Sequence, residues 1–394
     1  MSGSIEFIKK NIGPSITPQK LSDKSKSLIN KIADQIILGE KSWLSKRQYS
    51  EHVLGQDEFP KGVDFEYIDP EIREEIEMFS KIGKKYSFVV GGRTVDIYAV
   101  YPYKGSVNRP AIYHDLDESV KKMYIWLYTG GHFAPTDCSR ELTIYWYLTD
   151  EKKMLPKIDR EPIRALHANT AFTFACSPVP NSIYIYRKEE WFKVFIHESF
   201  HSLGLDFAKM PEGIANSAVF KIFDVSCDLR FYETYTEAWA EIINVLFVCM
   251  ENPGSVFETL LNNERMFSLF QKTKILDHQK IKYRELFSHL LSKNQKVTKN
   301  NYKEETPVFS YYILKSIMMF FYDDFIGWCI ENNLGSIAFV KSPENIKSLV
   351  SFIKGRFENP EYLKSIDEFE RWFSVNGHKE ADEMETLRMS ITDA

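Results

Sequence analysis

The sequence predicts an α+β fold, with a small mixed sheet in the first half of the chain and a mostly helical second half. Short segments that alternate in polarity and are rich in aromatic residues lie before Lys188, and long apolar repeats with helical spacing dominate after it. Hydrophobic residues make up 44% of the 394 residues, which is enough for a substantial core. The length favours one large domain or two lobes.

Composition divides the chain into three expected segments. Residues 1–75 are polar and interrupted by prolines, and the helical spacing from Leu21 to Leu44 predicts a helical arm. Residues 76–205 are expected to form an α/β lobe. Residues 206–394 are expected to form a helical lobe.

The α/β lobe contains a hairpin signal. Tyr86–Val90 and Thr94–Val100 flank the pair Gly91-Gly92, and two glycines between alternating segments favour a tight turn between antiparallel strands. Further helices are predicted at 71–82 and 117–128, the latter ending at Gly130-Gly131, and further strands at 141–148, 171–175 and 182–186.

One motif carries chemistry. The sequence from His197 to His201 reads HExxH, and the preceding run is apolar on one face and compatible with a helix. Residues four apart share a helix face, so His197 and His201 can hold one metal ion together. Zinc is the expected cofactor, and Glu198 is placed to act as general base on an attacking water.

A catalytic zinc ion needs a third protein ligand and one open position. Glu237 is one candidate, because the glutamates at 233, 237 and 241 share one helix face and a nearby cation would relieve their repulsion. Asp206, which follows the motif closely, is the other candidate. We favour Glu237 and expect Asp206 to be a cap or turn residue.

These residues resemble the zincin metallopeptidases, and the gluzincin branch in particular. The resemblance covers about residues 165–250 and implies a zincin-like fold with the active-site helix between the lobes. It also implies a zinc-dependent peptidase in which Glu237 is the third ligand and Glu241 orients His197. The segment 169–172 is similar to the edge strand that binds extended peptide in this superfamily. The remainder resembles an uncharacterised group of large-DNA-virus proteins.

A hydroxyl beside the zinc ion often stabilises the oxyanion in such enzymes. Tyr311 is the tyrosine to which we assign this role, and its neighbour Tyr312 and the more distant Tyr235 are alternatives. The expected partner is a peptide or protein substrate.

Several function classes are disfavoured. The net charge is −5 and no long basic run is present, so nucleic acid is not an expected partner. No apolar stretch is long enough for a bilayer, and Met1–Lys10 lacks a signal-peptide core. The 5 cysteines show no CxxC spacing, so a disulfide framework or a thiolate zinc site is not expected and an intracellular setting is the default.

Two alternatives to a peptidase remain open on sequence grounds. The chain could be an inactive, zincin-like structural or interaction protein, for instance in a virion, in which zinc only stabilises the fold. It could also be a scaffold without metal in which HExxH is accidental. An open zinc position beside a water-bearing cleft would favour the enzyme.

Overall fold

A computed structural model of the protein describes residues 6–7, 10, 16–46, 49–55, 58–103, 108–290, 302–377 and 381–392. Within these residues the fold is α+β and contains one mixed sheet of six strands. The strands lie in the order β1-β2-β3-β4-β6-β5, with β3, β4 and β6 parallel and the other neighbours antiparallel. Their bounds are β1 Ser50–Val53, β2 Ser80–Val90, β3 Arg93–Tyr103, β4 Glu141–Tyr147, β5 Ala171–Thr173 and β6 Asn181–Ile185.

The predicted hairpin is confirmed. β2 and β3 pair in register from Ser80↔Tyr103 to Val90↔Arg93. Gly91 and Gly92 have φ values of 56° and 77°, which only glycine adopts without strain. The glycine pair therefore sets the turn between β2 and β3.

Thirteen α-helices are assigned in the described part of the chain. α5 carries the HExxH motif, and α7 carries the stripe of glutamates. A π-helical turn spans Phe309–Leu314, and short 3-10 turns span Phe65–Tyr67 and Tyr283–Leu286. The helices are α1 Asp23–Lys46, α2 Pro70–Met78, α3 Arg109–Phe133, α4 Ala165–Ala168, α5 Trp191–Leu203, α6 Gly213–Val219, α7 Phe231–Glu251, α8 Phe257–His278, α9 Lys315–Phe320, α10 Tyr322–Asn332, α11 Pro343–Lys354, α12 Pro360–Asn376 and α13 Asp382–Glu385.

Two helix boundaries differ from prediction. The helix predicted at 71–82 ends at Met78, because Ser80 and Ile82 belong to β2 and pair with β3. The helix predicted to end before two glycines continues through them to Phe133. A Cβ at Gly130 would lie 3.2 Å from Leu203 of α5, so a residue without a side chain lets the two helices approach closely.

The two faces of the sheet pack against different elements. Leu142, Ile144 and Trp146 of β4 join the main core together with α3 and α5. Tyr145 and Tyr147, which alternate with them, pack against the 3-10 turn at Phe65–Tyr67 and α2. α5 is therefore held directly on the sheet.

α7 lies inside the protein rather than on its surface. Every residue from Phe231 to Val248 is buried except Tyr232, which is half-buried. The main hydrophobic cluster extends from Ile16 to Ile391 and includes residues of all three segments expected from composition. Polar groups on α7 are consequently removed from water and need partners inside the protein.

The cysteines differ from expectation, because Cys138 and Cys176 form a disulfide bond. They are 38 residues apart in sequence, and the fold brings them together beside the end of α5. Cys227, Cys249 and Cys329 are free. Among the residues that the structure describes, no helix has the length and the apolar character needed to cross a membrane.

Candidate metal centre

α5 is buried from Phe192 to Leu203 and ends at Gly204, whose φ is 68°. Such a left-handed residue is a common helix terminator because glycine adopts it without strain. The helix presents Lys193, His197 and His201 at successive turns of one face. Since this face packs on α7, the motif meets the glutamate stripe inside the protein.

The two histidine rings converge on one carboxylate. Nε2 of His197 and Nε2 of His201 are 3.1 Å apart, and each lies 3.0 Å from Oε2 of Glu233. All three side chains are at least 92% buried, with exposed fractions of 8%, 8% and 7%. This buried triad could hold a metal ion.

The opposite ring nitrogens face other carboxylates. Nδ1 of His197 donates to Glu237 Oε2 at 2.7 Å, and Nδ1 of His201 donates to Asp206. When the two rings are neutral, these bonds leave a lone pair on each Nε2 atom at the shared position, which is the arrangement that a metal-binding imidazole requires.

Two roles expected on α7 belong to glutamates one helical turn earlier in the sequence. The structure brings Glu233, not Glu237, to the shared position of the two Nε2 atoms. Glu237 takes the place beside His197 that we expected for Glu241. Glu241 instead pairs with Lys315, in contact with Ser268. The helix and its acidic face were predicted, but the turn that meets the histidines was not.

The sequence contained a signal for Glu233. A ligand followed four residues later by an orienting carboxylate fits Glu233 with Glu237 as well as Glu237 with Glu241. Asp206 accepts from Ala208 N at 3.1 Å, which confirms it as a turn residue, but its contact with His201 was missed.

No protein-family model, curated protein or solved structure matches this chain.

Glu233 differs from the other two glutamates of α7 in its ion-pair partners. Glu237 Oε1 accepts from Lys193 at 2.6 Å, and Glu241 pairs with Lys315, so each has a buried ammonium as partner. In the described part of the chain, Glu233 contacts the two imidazoles and has no lysine or arginine in its ion pairs. Burial would raise the pKa of Glu233, but the imidazoles lower it to about 2.

Glu198 borders a small cavity together with His197 and Tyr311. The cavity volume is about 30 Å³, close to the share of one water molecule in liquid. Glu198 is 7% exposed and forms no hydrogen bond with another described residue. Burial raises the pKa of the Glu198 carboxyl, while the two imidazoles oppose this shift.

The predicted edge strand lies at the rim of this cavity. β5 is the last strand of the sheet and pairs on one side with β6. Asn169, Thr170 and Ala171 line the cavity. A larger cavity of about 490 Å³ lies beside the first turn of α5 and shares Lys193 with the smaller one, but it does not include the histidines.

The three tyrosine candidates are separated by their positions. The ring of Tyr311 lies 6.0 Å from the ring of His197, between centroids. Tyr312 donates to Leu387 O at 2.5 Å, and Tyr235 donates to Ile337 O at 2.7 Å, so both hydroxyls have partners in the core. Of the three, Tyr311 is the one that lines the cavity.

Proposed function

We propose that the protein is a zinc-dependent peptidase with a zincin-like active site. The observation that carries the proposal is the position of Glu233 Oε2, 3.0 Å from Nε2 of both HExxH histidines. Two imidazoles and one carboxylate form the ligand set of many catalytic zinc sites, and they leave a fourth tetrahedral position open. The adjoining residue Glu198 lies beside a cavity that has room for a water molecule.

The buried charges support a cation at this position. Glu237 has the ammonium group of Lys193 beside it, and Glu241 has that of Lys315. Among the described residues, the ion-pair partners of Glu233 are the two imidazoles. Imidazoles that bind a metal ion are neutral, and a buried carboxylate without a counter-charge is expensive. A divalent cation between Glu233 and the two Nε2 atoms would supply the missing charge.

The ligand set favours zinc over magnesium and calcium. Magnesium and calcium prefer oxygen ligands, whereas imidazole nitrogen with one carboxylate suits zinc. When bound, zinc lowers the pKa of a water molecule toward neutrality and polarises a carbonyl group.

The protein's own residues then have separate tasks. Glu198 removes a proton from the attacking water and delivers it to the nitrogen of the leaving amine. The Tyr311 hydroxyl donates a hydrogen bond to the oxygen that becomes negative during attack. Glu237 and Asp206 hold the two imidazole rings in one tautomer and orientation.

An extended peptide is the substrate that the cavity rim favours. β5 ends the sheet, so its outer edge can add a further strand by main-chain hydrogen bonds. Because Asn169–Ala171 line the same cavity as His197 and Glu198, a peptide on this edge would run past these two side chains.

The decisive experiment compares zinc content and peptide hydrolysis in the wild type and in Glu198→Gln. We expect one zinc ion per chain in both proteins, and hydrolysis in the wild type alone, because the amide cannot accept the proton. A wild type without zinc contradicts the metal site. Undiminished hydrolysis by Glu198→Gln contradicts the assigned base.

The volume of the cavity favours a second candidate, a zincin-like structural protein stabilised by zinc. About 30 Å³ admits water but not a peptide unless the surrounding side chains move. Stoichiometric zinc together with no hydrolysis of a diverse peptide library by the wild type would support this candidate and contradict the peptidase.

A further inference from the structure

The last turn of α5 receives two hydrogen bonds from outside the helix. Cys176 N donates to His201 O at 2.8 Å, and Ser139 Oγ donates to Ser202 O at 2.7 Å. The final carbonyl groups of a helix have no partner within it. These two contacts therefore complete the end of the helix that carries His201.

The two segments that make these contacts are joined to each other. The disulfide links Cys138 to Cys176, the immediate neighbours of Ser139 and Ser177. Ser139 N donates to Ser177 O at 2.9 Å. Asn181 Nδ2 donates to Ser139 Oγ at 3.1 Å and holds the hydroxyl that bonds to the helix. The disulfide thus fixes the distance between the two segments that contact the end of α5.

The disulfide also lies against the turn that leads to Asp206. A Cβ at Gly204 would lie 2.9 Å from Cys138 Sγ and 2.9 Å from Cys176 Cβ, so little free space separates the sulfur atoms from this backbone. Two non-bonded thiols need more room than a bonded pair. Reduction would therefore press on the turn between His201 and its carboxylate partner Asp206.

We propose that the Cys138–Cys176 disulfide positions His201 and Asp206, and that its reduction by a dithiol lowers the affinity of the site for zinc. The inference rests on the metal site of the proposed function and adds thiol–disulfide control to it. Disturbing the groups that orient metal ligands typically costs about 10-fold to 100-fold in affinity.

The dithiol is the two-electron reductant in the exchange reaction. Its thiolate attacks one sulfur of the protein disulfide and forms a mixed disulfide, which the second thiol of the reagent then resolves. The protein gains two electrons and two protons as two thiols, and the reagent becomes a disulfide. Cys176 is half-buried whereas Cys138 is 1% exposed, so Cys176 is the sulfur that a reagent can reach.

The test measures the zinc affinity of the full chain by competition with a chromophoric chelator. We expect Cys138→Ser/Cys176→Ser to bind zinc at least about tenfold more weakly than the oxidised wild type. This variant has no thiol at either position that could itself bind zinc. Cys227→Ser/Cys249→Ser, which changes two free cysteines, serves as the matched control and should bind zinc as the wild type does.

A second arm uses the wild-type chain without mutation. It is reduced, freed of reagent by anaerobic gel filtration, assayed, and then reoxidised. We expect weaker binding after reduction and recovery after reoxidation, which a loss of folding would not give. Equal zinc affinity in the oxidised, reduced and doubly substituted proteins overturns the inference alone. Absence of zinc binding in all of them overturns the proposed function and the inference together.

Discussion

The glutamates of α7 repeat at the same interval but have three different partners. Glu233 contacts the two Nε2 atoms, Glu237 lies between Lys193 and the far side of the His197 ring, and Glu241 pairs with Lys315. Because all three are buried, each carboxylate requires a partner, and the partner decides its role.

This difference in partners predicts that the same change, glutamate to glutamine, has unequal effects at positions 233 and 237. Glu233→Gln should lower zinc affinity far more than Glu237→Gln, because it removes a charged ligand. Glu237→Gln should weaken zinc binding by about 10-fold to 100-fold, since it disturbs only the orientation of His197. Chelator competition measures both affinities. A larger loss in Glu237→Gln than in Glu233→Gln would reverse the ligand assignment.

Lys274 predicts a pH dependence of stability. It is 2% exposed, and its Nζ donates to Glu383 O at 2.9 Å and to Thr386 O. Burial lowers its pKa to about 7 from the usual 10.5. Between these values the unfolded chain binds more protons, so the stability contribution is lost as pH falls through this interval and grows as pH rises.

Urea unfolding at pH 7 and pH 9 tests this dependence. The free energy of unfolding of the wild type should rise relative to that of Lys274→Met by at most about 1.4 kcal/mol per pH unit. The substitution also removes the donor to two carbonyl groups, so the comparison concerns slopes and not absolute stabilities. Parallel profiles for the two proteins would mean that Lys274 is charged in the folded state.

At the scale of elements, the end of α5 depends on one glycine. Gly204 has φ 68°, and a Cβ there would approach Cys138 Sγ and Cys176 Cβ to 2.9 Å. Gly204→Ala should therefore lower the free energy of unfolding by about 2 kcal/mol or more, from backbone strain together with the close contact.

The matched control is Gly213→Ala in the first turn of α6. No atom lies within 4 Å of a Cβ built at Gly213, and its backbone is helical. Alanine there should leave stability unchanged or raise it slightly. Urea denaturation of the two variants gives the comparison, and equal stabilities would show that the end of α5 tolerates a side chain.

Element types followed from local sequence more reliably than element ends did. Gly91-Gly92 marked the hairpin correctly because two residues with positive φ suffice for the turn. The predicted end of α2 was wrong because Ser80–Ile82 pairs with a strand about twenty residues later. Local periodicity carries no information about such a distant partner. The run of α3 through Gly130 was likewise decided by its packing on α5.

At the scale of the whole molecule, the candidate metal position joins α5 to α7. His197 and His201 belong to the helix packed on the sheet, and Glu233 belongs to the central helix of the second half. A ligand that binds the folded chain alone stabilises it by mass action. The metal ion should therefore contribute to the stability of the entire fold.

Metal removal tests this contribution. Treatment with a chelator should lower Tm, and added zinc should restore it, with about 2.7 kcal/mol of stabilisation when free zinc is at 100 times its Kd. The Tm of Glu233→Gln should not respond to either treatment. A wild-type Tm that is insensitive to chelator and to zinc would contradict a metal bridge between the two helices.

The sequence by itself determined which side chains share the face of α5 that meets α7. His197 and His201 share a side of any helix because they are four residues apart, and Glu198 follows from the same motif. It also determined an acidic face on α7. Which glutamate meets the histidines depends on how far α7 is shifted along its axis against α5, and a repeat every four residues makes the alternatives equivalent in sequence. Only tertiary packing, which also joins Cys138 to Cys176 across 38 residues, decided that shift.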